Sequence, residues 1–162
     1  MKVDVMTGGR PLRSMQEFAR ATKAAGFSGL VLTETGRTAY LACAASALVE
    51  PELELSTGVA VAFPRSPMIT ASTAWEIAEA CGGRFRLGLG TQVRAHIERR
   101  FGTAFDPPGP RLEEYVQAVR ACFAGFRGEP TALPPGLTLL HQESLVVPQP
   151  GRGGAAVVRP RG

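Results

Sequence analysis

Residues 82–92 read GGRFRLGLGTQ, and their pattern is the strongest indication of the fold class. Every second residue from 85 to 89 is apolar, which is the period of a β-strand. The strand ends in glycine and is followed directly by the polar pair Thr91-Gln92. Such an end is typical of the carboxyl terminus of a buried parallel strand, where α/β sheets and barrels bind their ligands.

Working outward from this stretch, the chain repeats a strand followed by a helix four times. The strands begin near residues 3, 29, 53 and 84, and the third is expected to run without a break from Leu53 to Phe63. In the first helix, Ser14 and Glu17 have the spacing of a capping box. Strand–helix alternation with short loops predicts an α/β fold with a parallel sheet, whose four strand ends lie on one side.

Composition limits the class of protein. The 162 residues are 44% hydrophobic and 20% charged, and the net charge of +4 comes almost entirely from scattered arginines. Arginine without clustering favours a solvated surface over a nucleic-acid footprint. The three cysteines have no metal-site spacing, and no apolar run approaches the length of a membrane span. We therefore expect a cytoplasmic protein with no metal site and with neither nucleic acid nor membrane as a partner.

The chain divides in two by composition. Residues 1–126 carry the strand–helix repeats, whereas residues 127–162 are rich in proline and glycine. Apolar patches at 137–140 and 145–147 can form a hairpin, and the end of this tail is expected to be disordered.

Three stretches together resemble the luciferase-like monooxygenase superfamily. These are residues 55–67 (LSTGVAVAFPRSP), residues 83–90 (GRFRLGLG) and residues 91–102 (TQVRAHIERRFG), the last being similar to the branch that uses the deazaflavin coenzyme F-420. The similarity extends over residues 1 to about 140. It implies a TIM-barrel-like (β/α)8 fold, of which this chain supplies about four βα units. It also implies hydride transfer between the deazaflavin and an organic small-molecule substrate, with FMN as the alternative cofactor.

The resemblance also implies the residues of the site. Glu34 matches the acidic residue that ends strand two, and Gly58-Val59 matches the position where many members hold a non-prolyl cis peptide against the ring. The loop after strand four borders the ring, and His96 beyond it is the candidate catalytic acid or base on the substrate side. The implied cofactor-binding residues are Glu34, Thr35, Gly58, Val59, Ala60, Gly90, Thr91 and Gln92.

The chain departs from this pattern in three respects. Some sugar-phosphate dehydrogenases of the superfamily have a catalytic histidine where Thr35 stands and a catalytic glutamate where Val93 stands. That particular reaction is therefore disfavoured. In addition, a complete barrel has eight βα units and about 250 residues, so the phosphate-binding loops after strands seven and eight have no counterpart here.

Each candidate residue also has a structural interpretation. Glu34 can form a surface ion pair with Arg37, and His96 can be a surface residue of a helical turn. Gly58 and Gly90 can serve tight packing as well as close approach to a ring. The arginines at 94, 99 and 100 can bind an anionic coenzyme tail, but a solvated helix face is the preferred interpretation.

Three functions follow from the sequence. The first is a luciferase-like oxidoreductase with F-420 ahead of FMN. The second is a non-catalytic half barrel, in which a homodimer or another partner covers the open edges of the sheet. The third is a basic nucleic-acid-binding module, which the scattered arginines disfavour.

Overall fold

The computed structural model describes residues 1–131. The strands are β1 (Asp4–Gly8), β2 (Gly29–Thr33), β3 (Glu54–Thr57), β4 (Ala60–Val61), β5 (Phe85–Arg86) and β6 (Leu89–Gly90). The helices are α1 (Leu12–Ala24), α2 (Ala39–Ala47), α3 (Pro67–Ala80), α4 (Arg94–Arg99) and α5 (Pro108–Phe126).

Strands β1, β2, β3 and β5 form a parallel sheet in that order. The register aligns Val5 with Leu30, Leu30 with Leu55, and Leu55 with Phe85. Because the strands are parallel and joined by helices, their carboxyl ends lie at one edge of the sheet. The predicted α/β fold with a parallel sheet is confirmed.

One face of the sheet is packed against helices and forms the main core. Leu30, Leu32 and Leu55 point to this face and are at most 1% exposed. Met15 of α1 and Cys43 of α2 are fully buried in the same cluster. The alternate residues of the strands face the other way. The opposite face of the sheet is correspondingly more exposed, as Val31 between Leu30 and Leu32 shows.

The third and fourth predicted strands are each divided in two, so the prediction of an unbroken strand from Leu53 to Phe63 is wrong. At the break, the Thr57 hydroxyl donates to the Gly88 carbonyl (2.7 Å) and accepts from the Gly88 amide (2.9 Å). The Thr57 side chain therefore makes the hydrogen bonds that a backbone group of the neighbouring strand makes in a regular parallel sheet. Beyond it, the Ala60 amide donates to the Gly88 carbonyl (2.8 Å), and β4 pairs with β6 in a separate two-stranded sheet.

Helix α1 begins earlier than its expected capping box. Its N-cap is Pro11, with a φ of −49°, and no side chain caps the helix. Ser14 therefore lies inside the first turn, and the predicted capping box is wrong. The Met15 amide donates to the Pro11 carbonyl (2.9 Å), so the first turn is already closed around Ser14, which cannot then act as the N-cap. Its end is as expected, at Gly26 with a φ of +83°.

The described residues form two compact units. The first unit contains 1–60 and 74–89, which includes the four-stranded sheet with α1 and α2. The second unit contains, of the described residues, 61–73 and 90–131, which include α4 and α5. In the second unit the buried Tyr115 hydroxyl lies 2.5 Å from the Thr70 hydroxyl and 3.3 Å from the Ser66 carbonyl oxygen, which joins α5 to the start of α3.

Apart from 127–131, the predicted proline- and glycine-rich tail lies outside the described residues, and so does its expected hairpin. Within 1–131, no helix has both the length and the apolar character needed to cross a membrane.

Candidate functional site

Five of the predicted site residues follow the carboxyl ends of β2 and β3, in the first unit. Gly8 at the end of β1 is level with Thr33 at the end of β2. Glu34 comes next and is 7% exposed, whereas Thr35 is exposed. The Thr35 hydroxyl lies 3.6 Å from where a Cβ of Gly8 would be, so the ends of β1 and β2 meet at this point.

The residues after β3 have the backbone form that the resemblance implies. The Gly58–Val59 peptide bond is cis, as expected. A Cβ on Gly58 would lie 2.5 Å from Cγ1 of Val31 and 3.9 Å from Cε of Met6. A β-branched side chain on the neighbouring strand therefore fills the space, and packing alone accounts for glycine at this position. Ala60 is buried, while Val59 is 45% exposed.

The other four predicted site residues belong to the second unit. Gly90 ends β6, and its carbonyl accepts from the Ala62 amide (3.0 Å). Gln92 has a φ of +60°, a left-handed conformation that is uncommon outside glycine. The Thr91 hydroxyl donates to the Gln92 carbonyl (3.0 Å), and the Gln92 side-chain oxygen accepts from the Val93 amide (3.2 Å).

His96 lies on the short helix α4 and is exposed to solvent. Its backbone amide donates to the Val93 carbonyl (3.0 Å), which is an ordinary first-turn contact. An exposed imidazole can exchange protons with a bound substrate or with water, so its proposed role stays a prediction.

The predicted set is therefore divided between the units. Glu34, Thr35 and the segment 58–60 lie in the first, after neighbouring strands. The segment 90–92 and His96 lie in the second, at the start of α4. Among the described residues, no group of three His, Cys, Asp or Glu side chains is arranged to hold a metal ion.

Apolar side chains lie beside Gly58 in the first unit. Met6 is 65% exposed and, like Val31, lies beside Gly58. Together with the exposed Val59 they form an apolar surface next to a position that carries no side chain. Planar rings stack favourably on such surfaces because apolar area is removed from water on both sides.

An arginine–phenylalanine cluster in the second unit was missed by sequence reasoning. The Arg111 guanidinium lies 4.4 Å from the Phe63 ring centroid, and the Arg94 guanidinium lies 5.0 Å from that of Phe105. The two rings meet edge to face at 6.1 Å. Arg94 also pairs with Glu98 at 2.7 Å, which agrees with the interpretation of this helix face as solvated. No spacing rule links Phe63 to Arg111, because only the tertiary fold brings them together.

Comparison with curated proteins gives relatives in mycobacteria and beyond. An uncharacterised protein of Mycobacterium tuberculosis is 39% identical over 117 residues, which cover 68% of this chain and 34% of the relative. A putative coenzyme F-420-dependent oxidoreductase of the same organism is 30% identical over 118 residues, covering 72% of this chain and 34% of its own length. The chain thus spans about a third of the length of these relatives.

Three solved structures share the fold. The monooxygenase RslO1 of Streptomyces bottropensis has a TM-score of 0.67 at 20% identity, over 76% of this chain and 43% of that one. The coenzyme F-420-dependent tetrahydromethanopterin reductase of Methanopyrus kandleri has a TM-score of 0.66 at 15% identity, over 81% and 42%. The oxygenating constituent of 3,6-diketocamphane monooxygenase from Pseudomonas putida, in complex with FMN, has a TM-score of 0.65 at 15% identity, over 80% and 40%.

These likenesses confirm the predicted architecture, in which the chain supplies part of a TIM-barrel-like (β/α)8 fold. The family model for luciferase-like monooxygenases matches residues 1–159, which is nearly the whole sequence. The chain therefore belongs to the luciferase-like monooxygenase family.

Proposed function

We propose that this chain binds the deazaflavin coenzyme F-420 and belongs to an oxidoreductase that transfers a hydride between that coenzyme and a small organic substrate. FMN is the alternative cofactor. The observation that carries the proposal is the exposed apolar surface of Met6 and Val59 beside Gly58, which directly follows the carboxyl end of the parallel strand β3. This is the edge at which parallel α/β folds bind their ligands.

The order of the two cofactors rests on the relatives. The relative at 30% identity and the Methanopyrus structure are both named for coenzyme F-420, whereas the Pseudomonas structure is a complex with FMN. When bound, the deazaflavin accepts or releases a hydride at ring carbon C5. The chain's own contribution is to bind and orient the ring and to exclude water from one of its faces.

The residues have distinct proposed roles. Gly58, Val59 and Ala60 of the first unit pack against the ring. For Gly90, Thr91 and Gln92 of the second unit, the role beside the ring is the one that the family resemblance implies. The buried carboxylate of Glu34 and the exposed hydroxyl of Thr35 bind polar atoms of the coenzyme. His96 is exposed, so we assign it to the substrate side, where it donates or accepts the proton that accompanies hydride transfer.

Coenzyme titration tests this proposal. Quenching of F-420 fluorescence by the unmodified chain should saturate, and FMN should compete only at a higher concentration. Gly90→Val should weaken F-420 binding by about tenfold or more, because a branched side chain occupies space that the ring needs. Gly109→Val is the matched control, since nothing lies within 4 Å of a Cβ at Gly109, and its titration should not change.

Two further variants keep the test decisive if Gly90→Val does not fold, as judged by circular dichroism. Glu34→Gln keeps the shape of the side chain but removes its charge, and should also weaken binding. His96→Gln should leave the binding curve unchanged, because the residue is assigned to the substrate side. Saturable binding of FMN but not of F-420 would reverse the order of the cofactors. Absence of binding to both would leave the non-catalytic half barrel as the better account.

A further inference from the structure

Two arginines follow the carboxyl ends of neighbouring strands in the first unit. Arg10 lies in the loop between β1 and α1, and Arg37 lies in the loop between β2 and α2. The register places Gly8 and Thr33, the last residues of the two strands, side by side. Because paired parallel strands end at the same edge of a sheet, both loops begin at the edge to which the coenzyme is assigned.

The Arg37 side chain lies against the loop that carries Arg10. A Cβ on Gly9 would be 3.0 Å from Cβ of Arg37, 3.8 Å from its Cδ and 3.9 Å from its Cγ. The aliphatic part of Arg37 therefore runs beside the backbone of Gly9, which directly precedes Arg10 in the chain. This contact limits the rotamers of a long side chain, so less conformational entropy is lost when its guanidinium binds a ligand.

The Arg10 guanidinium is also held in position. It lies 4.2 Å from the ring centroid of Phe18, which is half-buried and packs against the core cluster of the first unit. Both arginines are exposed, and within residues 1–131 neither forms an ion pair with an acidic side chain. A guanidinium that stacks on an aromatic ring keeps N–H donors at its own edge, where a carboxylate or phosphate can accept them.

These loops are close to the surface to which the coenzyme ring is assigned. Met6 of that surface is two residues before Gly8 on the same face of β1. At about 3.3 Å per residue, Gly8 is about 7 Å from Met6 along the strand, and the loop with Arg10 begins at the next residue. A small substrate beside the ring can therefore extend to the two arginines.

We propose that Arg10 and Arg37 bind a carboxylate or phosphate group of the organic substrate, which is therefore an anion. Guanidinium groups suit this role because they form charge-assisted, often bidentate hydrogen bonds with both kinds of oxyanion. The assignment to the substrate rests on the coenzyme function proposed above. The binding of an oxyanion by the two arginines does not depend on the coenzyme, so the two proposals can be tested separately.

An NMR titration with inorganic phosphate tests the anion site, using the isotopically labelled chain from Met1 to Gly162 without coenzyme. Sodium chloride keeps the ionic strength constant, so that the screening of charges does not change during the titration. Phosphate should shift the Gly9 amide signal and the Arg37 Nε–H signal along saturable curves. Arg37→Gln and Arg10→Gln should each raise the dissociation constant of phosphate by about tenfold. Absence of a saturable shift in the unmodified chain would overturn the proposal.

Glycine variants separate a positioned guanidinium from general attraction between charges. Gly9→Ala keeps every charge but places a methyl group 3.0 Å from Cβ of Arg37, so it should weaken phosphate binding by about fivefold. Gly36→Ala is the matched control in the loop of Arg37, because nothing lies within 4 Å of a Cβ there, and it should have no effect. Arg13→Gln removes an equal charge from the exposed start of α1 and should also have no effect. Equal losses in Arg13→Gln and Arg37→Gln would overturn the site, since they would show a general effect of charge.

The coenzyme distinguishes the two sources from which the anionic group can come. If the substrate supplies it, saturating F-420 should leave phosphate binding unchanged, and Arg37→Gln should leave the F-420 titration unchanged. Displacement of phosphate by F-420, together with weaker F-420 binding by Arg37→Gln, would overturn the substrate assignment and place the anionic tail of the coenzyme at the arginines. If F-420 does not bind while phosphate binding depends on Arg37, the coenzyme function fails and the anion site stands.

Discussion

Gln92 has a backbone conformation that residues other than glycine rarely adopt. Its φ of +60° lies in the left-handed region, which costs a residue with a Cβ about 1–2 kcal/mol relative to the right-handed region. Part of this cost is offset locally, because its side-chain oxygen accepts the Val93 amide and its carbonyl accepts the Thr91 hydroxyl. Backbone conformations of this kind are concentrated at binding sites, and Gln92 is one of the residues assigned to the ring.

In most positions an alanine variant is more stable than a glycine variant, and at Gln92 we expect the reverse. We expect Gln92→Gly to be more stable than Gln92→Ala by about 1 kcal/mol, because glycine adopts a positive φ without strain. The neighbouring Val93 has a φ of −94°, so Val93→Ala should there be at least as stable as Val93→Gly. Urea unfolding of the four variants measures both differences. Equal stability of the two Gln92 variants would contradict the left-handed conformation.

At the scale of elements, the division of two predicted strands into four is the main departure from the sequence pattern. Thr57 is 3% exposed, and its hydroxyl makes both hydrogen bonds with Gly88. The approach is close: a Cβ on Gly88 would lie 2.2 Å from the Thr57 carbonyl oxygen. This arrangement therefore needs a side-chain hydroxyl at position 57 and a glycine at position 88.

Removal of the Thr57 hydroxyl should destabilise the fold. Thr57→Val keeps the shape but leaves the Gly88 amide without its partner, which should cost about 1–3 kcal/mol. Thr57→Ser retains the hydroxyl and should cost less than Thr57→Val. The midpoint of urea unfolding at constant m-value is the appropriate measurement. If the serine and valine variants were equally destabilised, the methyl group rather than the hydroxyl would be the important contact.

Two leucines in and next to helix α2 lie outside its buried face. Leu41 of this helix and Leu48, which directly follows it, are 54% and 74% exposed. Helix α2 buries its small residues instead, including Ala42, Cys43 and Ala47. Small side chains allow the helix to approach the sheet closely, so the large apolar residues are left outside the contact. A hydrophobic pattern alone does not reveal this choice.

At the scale of the whole molecule, three buried thiols report on folding. Cys43 and Cys81 are fully buried in the first unit and Cys122 is fully buried in the second. Burial, with a smaller contribution from the nearby Cys81, raises the pKa of Cys43 to about 12. Burial likewise raises the pKa of Cys122 to about 11, and it raises that of Cys81.

All three thiols should therefore resist modification until the chain unfolds. At about pH 8, a disulfide reagent should react at least about a hundredfold more slowly with the folded chain than with the chain in guanidinium chloride. The same shifts should lower stability in alkali. An unfolded thiol loses its proton above about pH 8.5, so the free energy of unfolding is unaffected below that pH. It falls as the pH rises towards the raised pKa values of the folded chain. Rapid labelling of any one thiol in the folded chain would contradict its burial.

The succession of the four strand regions and their helices and the parallel pairing of the sheet could be predicted from sequence alone, whereas the site at the strand ends stays a prediction. These features depend on the periodicity of apolar residues, on the positions of glycine and proline and on the right-handed crossover rule. Short stretches of sequence are therefore enough to predict them. The family resemblance added the cis bond at Gly58–Val59, which the structure confirms.

Contacts between residues that are far apart in sequence depend on tertiary packing. The bonds of Thr57 to Gly88, the space that Val31 takes from Gly58, and the stacking of Arg111 on Phe63 all join residues far apart in sequence. The geometry of these contacts depends on the register of the strands and on the rotamers of neighbouring side chains. The spacing of apolar residues in the sequence specifies neither of these. The division of the predicted site residues between two units could not be predicted either. The units are defined by which residues pack together, and the order of residues along the chain does not give that.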